Sequence, residues 1–351
     1  MKVWVEMGSV KDLIVIKEPQ GERSGVGQFL FSDRFSVFDW GEMPDHIDGK
    51  GASLCLTSAY FFEKLNELGL KSHYLGLIEK GERKKLSGLS NATDIMEISL
   101  LRVIRPRVVD GGYDYSEFRK DRLNSLIPLE VIYRNSLPEG SSVFKRLQNG
   151  SLSLKDIGLD EMPVPGQVLD NPILEVSTKL ESTDRYISWQ EAKEMLGLSD
   201  DEVEQIKKIT LMVDELITGE VKKAGLVNED GKIELGFDQN GDFMVLDTVG
   251  TLDECRFTYK GLHVSKEIAR IFYRTSGWYL DVEKAKKIDR VGWKDRVMSK
   301  PSNLPERLKE LLSQTYKSAA NEITGKKWFK NVGTLSLILS EIGDVFDDCS
   351  K

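Results

Sequence analysis

The spacing of apolar and polar residues predicts a β-rich amino-terminal part with one helix. Strands are predicted in five stretches, namely 2–6, 12–17, 28–32, 73–78 and 95–104. The first two are joined by a turn at Gly8 and Ser9. Over 51–68 the apolar residues recur at helical spacing, and Gly69 is suited to the left-handed end of a helix.

A long amphipathic helix is the clearest element of the second half. Ser199 and Glu202 form a capping-box pattern, an apolar stripe continues to Ala224, and Gly225 ends it. Ser188 begins a shorter helix in the same way. Strands are also predicted over 232–237 and 243–247, with an Asn-Gly turn between them, and another helix over 304–323.

Composition narrows the class of protein. The 351 residues are 40% hydrophobic and 30% charged, which is typical of a folded chain with a substantial core. The net charge of −8 argues against nucleic acid as the main partner. Three scattered cysteines, no signal peptide and no long apolar run indicate a cytoplasmic protein without a membrane span. With only three histidines, any metal is expected to be held by carboxylates.

Two polar segments follow or join predicted strands near the amino terminus. Segment 8–12 (GSVKD) is a turn whose amides and Lys11 could meet a phosphate, although a plain hairpin has the same composition. Segment 32–39 (SDRFSVFD) combines hydroxyls, a guanidinium and carboxylates after a strand. It suits a phosphorylated or carboxylated small molecule, or else a salt-bridged turn. The two common nucleotide-binding fingerprints are absent.

A charged strand is predicted over 127–135. Glu130 and Arg134 lie on one face of it, because side chains alternate along a strand. The serine- and lysine-containing loop 141–146 that follows is either a phosphate cradle or a solvated helix start.

A second charged strand contains Asp230, Lys232 and Glu234, which emerge on one face. Asp247 ends the neighbouring strand of the same hairpin, so Glu234 and Asp247 could together bind Mg²⁺. A solvent-exposed face without a ligand is the alternative.

Taken in order, these segments resemble the SAICAR synthetase family of purine biosynthesis. The resemblance is carried by 8–12, 32–39, Lys50 with Gly51, Pro128, Glu130, Arg134 and Asn135, 140–146 (GSSVFKR), 172–173, 177–179 (STK), Asp230, Lys232 and Glu234, Asp253 with Arg256, Tyr316, and 324–325. These matches are collinear from residue 8 to residue 327, which chance rarely produces.

The resemblance implies an α+β protein of two lobes with antiparallel sheets and a nucleotide in the cleft between them. Residues 1–125 would form a β-rich lobe, 126–327 a larger lobe, and 328–351 a helical extension. The implied reaction joins carboxyaminoimidazole ribonucleotide (CAIR) to L-aspartate through an acyl phosphate made from ATP, with Mg²⁺ bridging the phosphates. A homo-oligomer is a further expectation.

The resemblance also implies roles for individual residues. ATP would be held by Lys11, Leu126, Ile127, Lys179 and Glu234, and Mg²⁺ by Glu234 and Asp247. Substrate would be bound by Arg34, Ser36, Asp39, Lys50, Glu130, Arg134, Ser142 and Arg256. Lys232 and Arg256 are the implied catalytic residues.

The sequence departs from the family pattern at two places. Ser9 replaces a second lysine, and segment 247–251 (DTVGT) differs from the usual Asp-Glu-x-x-Pro. The serine loop also has two registers, since Ser142 keeps the spacing to Lys145 while Ser141 keeps the glycine neighbour. A ligase with another substrate and a non-catalytic nucleotide-binding paralogue are therefore kept as alternatives.

Overall fold

The computed structural model describes residues 4–264, 266–289 and 291–349. Its first sheet contains β1 (Trp4–Met7), β2 (Lys11–Lys17), β3 (Gly25–Phe31), β4 (Tyr74–Glu79), β5 (Glu82–Lys84) and β6 (Ile95–Leu100). The strand order is β1-β2-β3-β6-β4-β5, and every neighbouring pair is antiparallel. Residues 2 and 3 of the first predicted strand lie outside the described residues.

The predicted first helix is present as α1 (Lys50–Glu67). The Asp33 carboxylate accepts hydrogen bonds from the amides of Gly49 and Gly51, at 3.1 and 2.9 Å, and so satisfies amides at the helix start. A Cβ atom at Gly51 would lie 2.7 Å from the Phe31 carbonyl oxygen. The start of α1 is therefore held against the end of β3, beside segment 32–39.

The second sheet contains β9 (Ser125–Leu137), β10 (Gln167–Thr178), β11 (Tyr186–Ile187), β12 (Val227–Phe237), β13 (Phe243–Leu246), β14 (Cys255–Tyr259) and β15 (Leu262–His263). Its order is β11-β10-β9-β12-β14-β15, with β13 paired to β12, and its pairs are antiparallel. Along the chain, the strands of the two sheets are separated by a two-stranded hairpin of β7 (Arg107–Val109) and β8 (Gly112–Asp114), which is followed by α2 (Ser116–Lys120). The predicted α+β class with antiparallel sheets is confirmed.

Helices cover both sheets. The remaining ones are α3 (Ser142–Gln148), α4 (Trp189–Leu196), α5 (Asp200–Lys223), α6 (Glu267–Arg274), α7 (Gly277–Ile288), α8 (Glu306–Thr324) and α9 (Leu335–Cys349). The capping box at Ser199 and Glu202 is formed, and the apolar stripe of α5 packs behind β9 and β12. In the carboxy-terminal part, α8 packs on α1 and α9 packs on α8.

Backbone hydrogen bonds join the two sheets. The Val245 amide donates to the Lys71 carbonyl at 2.9 Å, and the His73 amide donates to the Val245 carbonyl at 3.1 Å. Strand β13 thus pairs with β12 on one side and with the segment before β4 on the other. The division into lobes at 125/126 and 327/328 stays a prediction.

Some predicted boundaries are wrong. The strand predicted over 95–104 ends at Leu100, because Arg102 then pairs with the segment that leads into β9. The strand predicted to begin at Lys232 begins at Val227. Helices α6 and α7 were not predicted. Across the described residues, no helix is both long and apolar enough to cross a membrane.

Candidate active site

One face of the second sheet carries the charged residues that the sequence predicted together. Glu234 of β12 lies opposite Glu130 of β9, and Asp230 lies opposite Arg134. Asp230 also lies opposite Arg256 of β14. The predicted shared faces of both strands are confirmed, and the sheet joins them into one continuous polar surface.

Arg134 is the centre of a buried ion network. Its guanidinium donates to Glu175 at 2.7 Å and to Asp230 at 3.1 Å, and its side chain is only 2% exposed. Arg256 also donates to Asp230, at 2.8 Å from Nε. Arg134 further donates to the Ser142 hydroxyl at 3.3 Å. Because its charges are paired, the network holds these side chains in fixed positions.

The structure separates the two serines of the loop. Ser141 caps α3, accepting a hydrogen bond from the Val143 amide, whereas the Ser142 hydroxyl faces Arg134 and Tyr186 on a cavity wall. Ser142 is therefore the serine available to a ligand.

A cluster of lysines and carboxylates lies farther along the same face. Lys232 contacts Glu130 at 2.7 Å and Glu254 at 3.2 Å, and Lys179 contacts Glu234 at 2.5 Å. Burial opposes the charge on Lys232, but Glu254 and Glu130 outweigh it and hold the pKa of Lys232 well above its usual range. The Lys232 ammonium is therefore a permanent positive charge at neutral pH.

Asp247 joins this cluster from the end of β13. Its carboxylate forms an ion pair with Lys11 of β2 at 2.6 Å, which brings the first sheet to the site. Burial alone would raise the pKa of Asp247, but Lys11 and Lys179 hold it well below its usual range. Burial and the nearby Asp247 carboxylate raise the pKa of Glu234. The carboxyl groups of Glu234 and Asp247 thus lie close together, and neighbouring lysines offset their negative charge.

His73, which was not predicted as a site residue, directly precedes β4 of the first sheet and supports Asp247 from that side. Its imidazole is buried and contacts the Asp247 carbonyl oxygen through Nε2 at 3.1 Å. Burial lowers the pKa of His73 to about 4, so the ring is neutral at pH 7. Asp247 has a φ of 62°, which is unusual for a residue other than glycine.

Two cations predicted to bind substrate form ion pairs within the protein, and their contact with substrate stays a prediction. Arg34 forms an ion pair with Asp12 at 2.5 Å and donates to the Gly8 carbonyl, which holds the turn between β1 and β2. Lys50 is fully buried and contacts Asp253 at 2.8 Å. Tyr316 of α8 donates to the same carboxylate at 2.7 Å.

The other predicted residues lie at the edges of the site. Ser36 and Asp39 line a cavity of about 360 Å³ beside segment 8–12, and Lys286 contacts Asp39 at 3.0 Å. Leu126 and Ile127 are buried at the start of β9.

A cavity of about 630 Å³ lies over the charged face, and its lining includes Glu130, Arg134, Lys232 and Arg256. Four further cations line it that were not predicted, namely Lys266, Arg270 and Arg274 of α6 and its start, and Lys286 of α7; Lys266 and Arg270 lie at the start of α6. The spacing of Lys266 and Arg270 by one helical turn was the signal in the sequence that could have identified them. Burial lowers the pKa of Lys266, although Asp253 partly opposes this.

Comparisons with known proteins agree on one family. The sequence model described as SAICAR synthetase matches residues 6–276. A protein of Archaeoglobus fulgidus, provisionally named phosphoribosylaminoimidazole-succinocarboxamide synthase, is 48% identical over 97% of this chain and 100% of its own length. The synthase of the same name from Thermoplasma acidophilum is 34% identical over 86% of this chain and 93% of its own length.

Solved structures agree with the fold. A SAICAR synthetase in complex with ADP covers 86% of this chain and 100% of its own, with a TM-score of 0.55 and 26% identity. The Saccharomyces cerevisiae SAICAR synthase complexed with SAICAR covers 93% of this chain and 96% of its own, with a TM-score of 0.63. Because the two sequences are only 21% identical, this likeness supports the fold alone. From the family match and the sequence relatives together, this chain belongs to the SAICAR synthetase family.

Proposed function

We propose that this protein is an ATP-dependent ligase that joins the carboxylate of CAIR to the amine of L-aspartate, giving SAICAR, ADP and phosphate. The observation that carries the proposal is the single charged sheet face, on which Lys232 stands between the Glu234–Asp247 cluster and the Arg134–Arg256 network. The relatives named for this reaction, and the family structure that contains ADP, support the same activity.

The nucleotide phosphates would bind at the lysine-rich end of the face. Lys11 and Lys179 already contact carboxylates there, so their ammonium groups are positioned for anionic oxygens. Leu126 and Ile127 offer an apolar surface at the start of β9, which suits the adenine ring.

Glu234 and Asp247 are the residues that would hold Mg²⁺. Within the described chain, no group of three or more His, Cys, Asp or Glu side chains could hold a metal ion on its own. Two carboxylates nevertheless fit Mg²⁺, which usually binds one or two of them together with phosphate oxygens and water. Bound there, the ion would neutralise charge on the phosphates.

The ribonucleotide would lie in the 630 Å³ cavity. Arg134, Arg256 and Ser142 provide donors for an anionic group, and Lys266 and Arg270 add positive charge to the cavity wall. Lys232 would stabilise the negative charge that develops at the reacting carboxylate. Alignment and charge are the main contributions of the protein, because phosphoryl transfer needs little covalent help.

A coupled assay of ADP release tests the proposal. With ATP, Mg²⁺ and CAIR, we expect release that depends on L-aspartate, with SAICAR formed in equal amount, and loss of activity on chelation of Mg²⁺. Repeating the assay with other amino acids tests for a ligase of altered specificity. Nucleotide binding without any ADP release would refute the proposed function and favour a non-catalytic paralogue.

Assembly and location stay predictions. We expect a homo-oligomer in the cytoplasm, and light scattering of the purified protein tests the first of these.

A further inference from the structure

The proposed function, on which this inference rests, requires a proton acceptor. The α-amine of L-aspartate is an ammonium ion at neutral pH and has no lone pair with which to attack an acyl phosphate. A carboxylate can accept its proton only if that carboxylate is accessible and is not already held by cations.

Most carboxylates that line the 630 Å³ cavity are held in ion pairs. Those with cationic partners are Asp39, Glu130, Asp230, Asp253, Glu254 and Glu267. Asp184 lines the same cavity and forms no hydrogen bond or ion pair with any residue that the structure describes. Its side chain is open to the cavity.

Asp184 also lies where a proton acceptor for the amino acid is needed. It lies in the loop between β10 and β11 and lines a second, adjoining cavity of about 1310 Å³. The first cavity contains Lys232, whereas the second contains Lys145, Lys287 and Lys294, which form no ion pair within the described chain. Free lysines suit the two carboxylates of a dicarboxylic amino acid. Asp184 therefore stands between a place for the amino acid and the reacting carboxylate.

We propose that Asp184 is the general base that accepts the proton from the L-aspartate ammonium. The nitrogen lone pair then forms the C–N bond, while the bond from the carbonyl carbon to the phosphate oxygen breaks. Phosphate leaves with that electron pair and takes the second proton from the nitrogen. No further reactant is required.

The electrostatic surroundings support this role. Partial desolvation raises the pKa of Asp184 to about 6, and the carboxylates of Glu130 and Asp39 act in the same direction, while Lys232 and Lys179 oppose it. Asp184 is thus ionised at neutral pH but more basic than an ordinary aspartate. Turnover with saturating L-aspartate should fall as the pH drops through about 6, because protonated Asp184 accepts no proton.

Replacing the nucleophile tests the proposal directly. Hydroxylamine is a neutral free base near pH 7, so it traps an acyl phosphate as a hydroxamate without a base. In Asp184→Asn we expect kcat with L-aspartate to fall by about 100-fold or more, while hydroxamate formation with ATP, Mg²⁺ and CAIR stays at the wild-type rate. Asp184→Glu should recover part of the L-aspartate reaction.

Asp170→Asn is the matched control, because Asp170 is an exposed aspartate that lines neither of the two cavities, and it should leave both reactions unchanged. Equal loss of both reactions in Asp184→Asn, or loss of neither, would overturn the assignment. A wild-type protein that forms no SAICAR would instead refute the proposed function, so the two failures are distinguishable.

Discussion

Charged side chains on the second sheet contribute differently to stability and to activity, because their exposure and their partners differ. The Arg134 side chain is 2% exposed and is held by Glu175 and Asp230. The Lys232 side chain is 31% exposed and reaches the cavity. Removing one member of a buried network leaves its partners charged and unpaired, which costs stability. Removing a partly exposed cation costs little stability and mainly changes the charge of the cavity.

Lys232→Met should therefore lose activity and keep its fold. We expect turnover to fall by about 10²- to 10³-fold. The free energy of unfolding should change by only about 1 kcal/mol or less. Steady-state kinetics and urea unfolding measure the two effects. Lys208→Met, on the exposed face of α5, is the control, and wild-type turnover in Lys232→Met would remove Lys232 from the site.

Arg134→Met should behave in the opposite way. Loss of the guanidinium leaves Glu175 and Asp230 without their shared partner, so we expect a loss of about 3–5 kcal/mol in the free energy of unfolding. Urea unfolding at pH 7 checks this, and a variant as stable as the wild type would show that the network is not a stabilising one.

Close contact between elements positions the amino-terminal side of the site. The start of α1 lies directly against the backbone at the end of β3, with only the hydrogen atoms of Gly51 between them. This contact places segment 32–39 beside the cavities, because the segment leaves β3 at that point. Glycine is required at position 51 because a side chain has no space there, and not because of an unusual backbone conformation, since Gly51 is helical.

Gly51→Ala should be destabilising although alanine is the better helix former. The added methyl group would lie 2.7 Å from the Phe31 carbonyl oxygen, and we expect a cost of about 1–3 kcal/mol from the forced shift. Gly219→Ala in α5 is a matched control, since nothing lies within 4 Å of its Cβ position. It should stabilise by about 0.5–1 kcal/mol. Thermal unfolding of both variants tests the comparison, which equal shifts would contradict.

Both large sheets of the molecule contribute to the position of Asp247. The second sheet supplies β13, which leads into Asp247, and the segment that leads into β4 of the first sheet pairs with β13. His73, at the end of that segment, contacts the Asp247 carbonyl and packs against Phe29 and Phe62, with ring centroids 5.7 and 5.4 Å away. The geometry of the candidate nucleotide site thus depends on the hydrogen bonds that join the two sheets.

His73→Ala should weaken both the fold and nucleotide binding. We expect the free energy of unfolding to fall by about 2–5 kcal/mol, because a buried ring is lost, and KM for MgATP to rise as Asp247 loses its support. His46→Ala is the control, since His46 is an exposed residue paired with Glu42. Unchanged nucleotide affinity in His73→Ala would show that His73 acts on stability alone.

Local chemistry was sufficient to predict much of this protein. The capping box at Ser199, the stripe of α5 and the shared faces of Asp230, Lys232 and Glu234 follow from hydrogen bonds and periodicities within a few residues. Neighbours in sequence are neighbours in space in a helix or strand, so these features required no knowledge of the fold.

Partners distant along the chain could not be predicted in this way. The sequence did not reveal that Arg34 pairs with Asp12 or that Lys50 pairs with Asp253. The unpaired state of Asp184 is likewise seen only when every nearby cation has been assigned. His73, Lys266 and Arg270 reach the site because their elements pack there. Periodicity determines which face a side chain occupies, whereas the packing of distant elements determines which charges meet across that face.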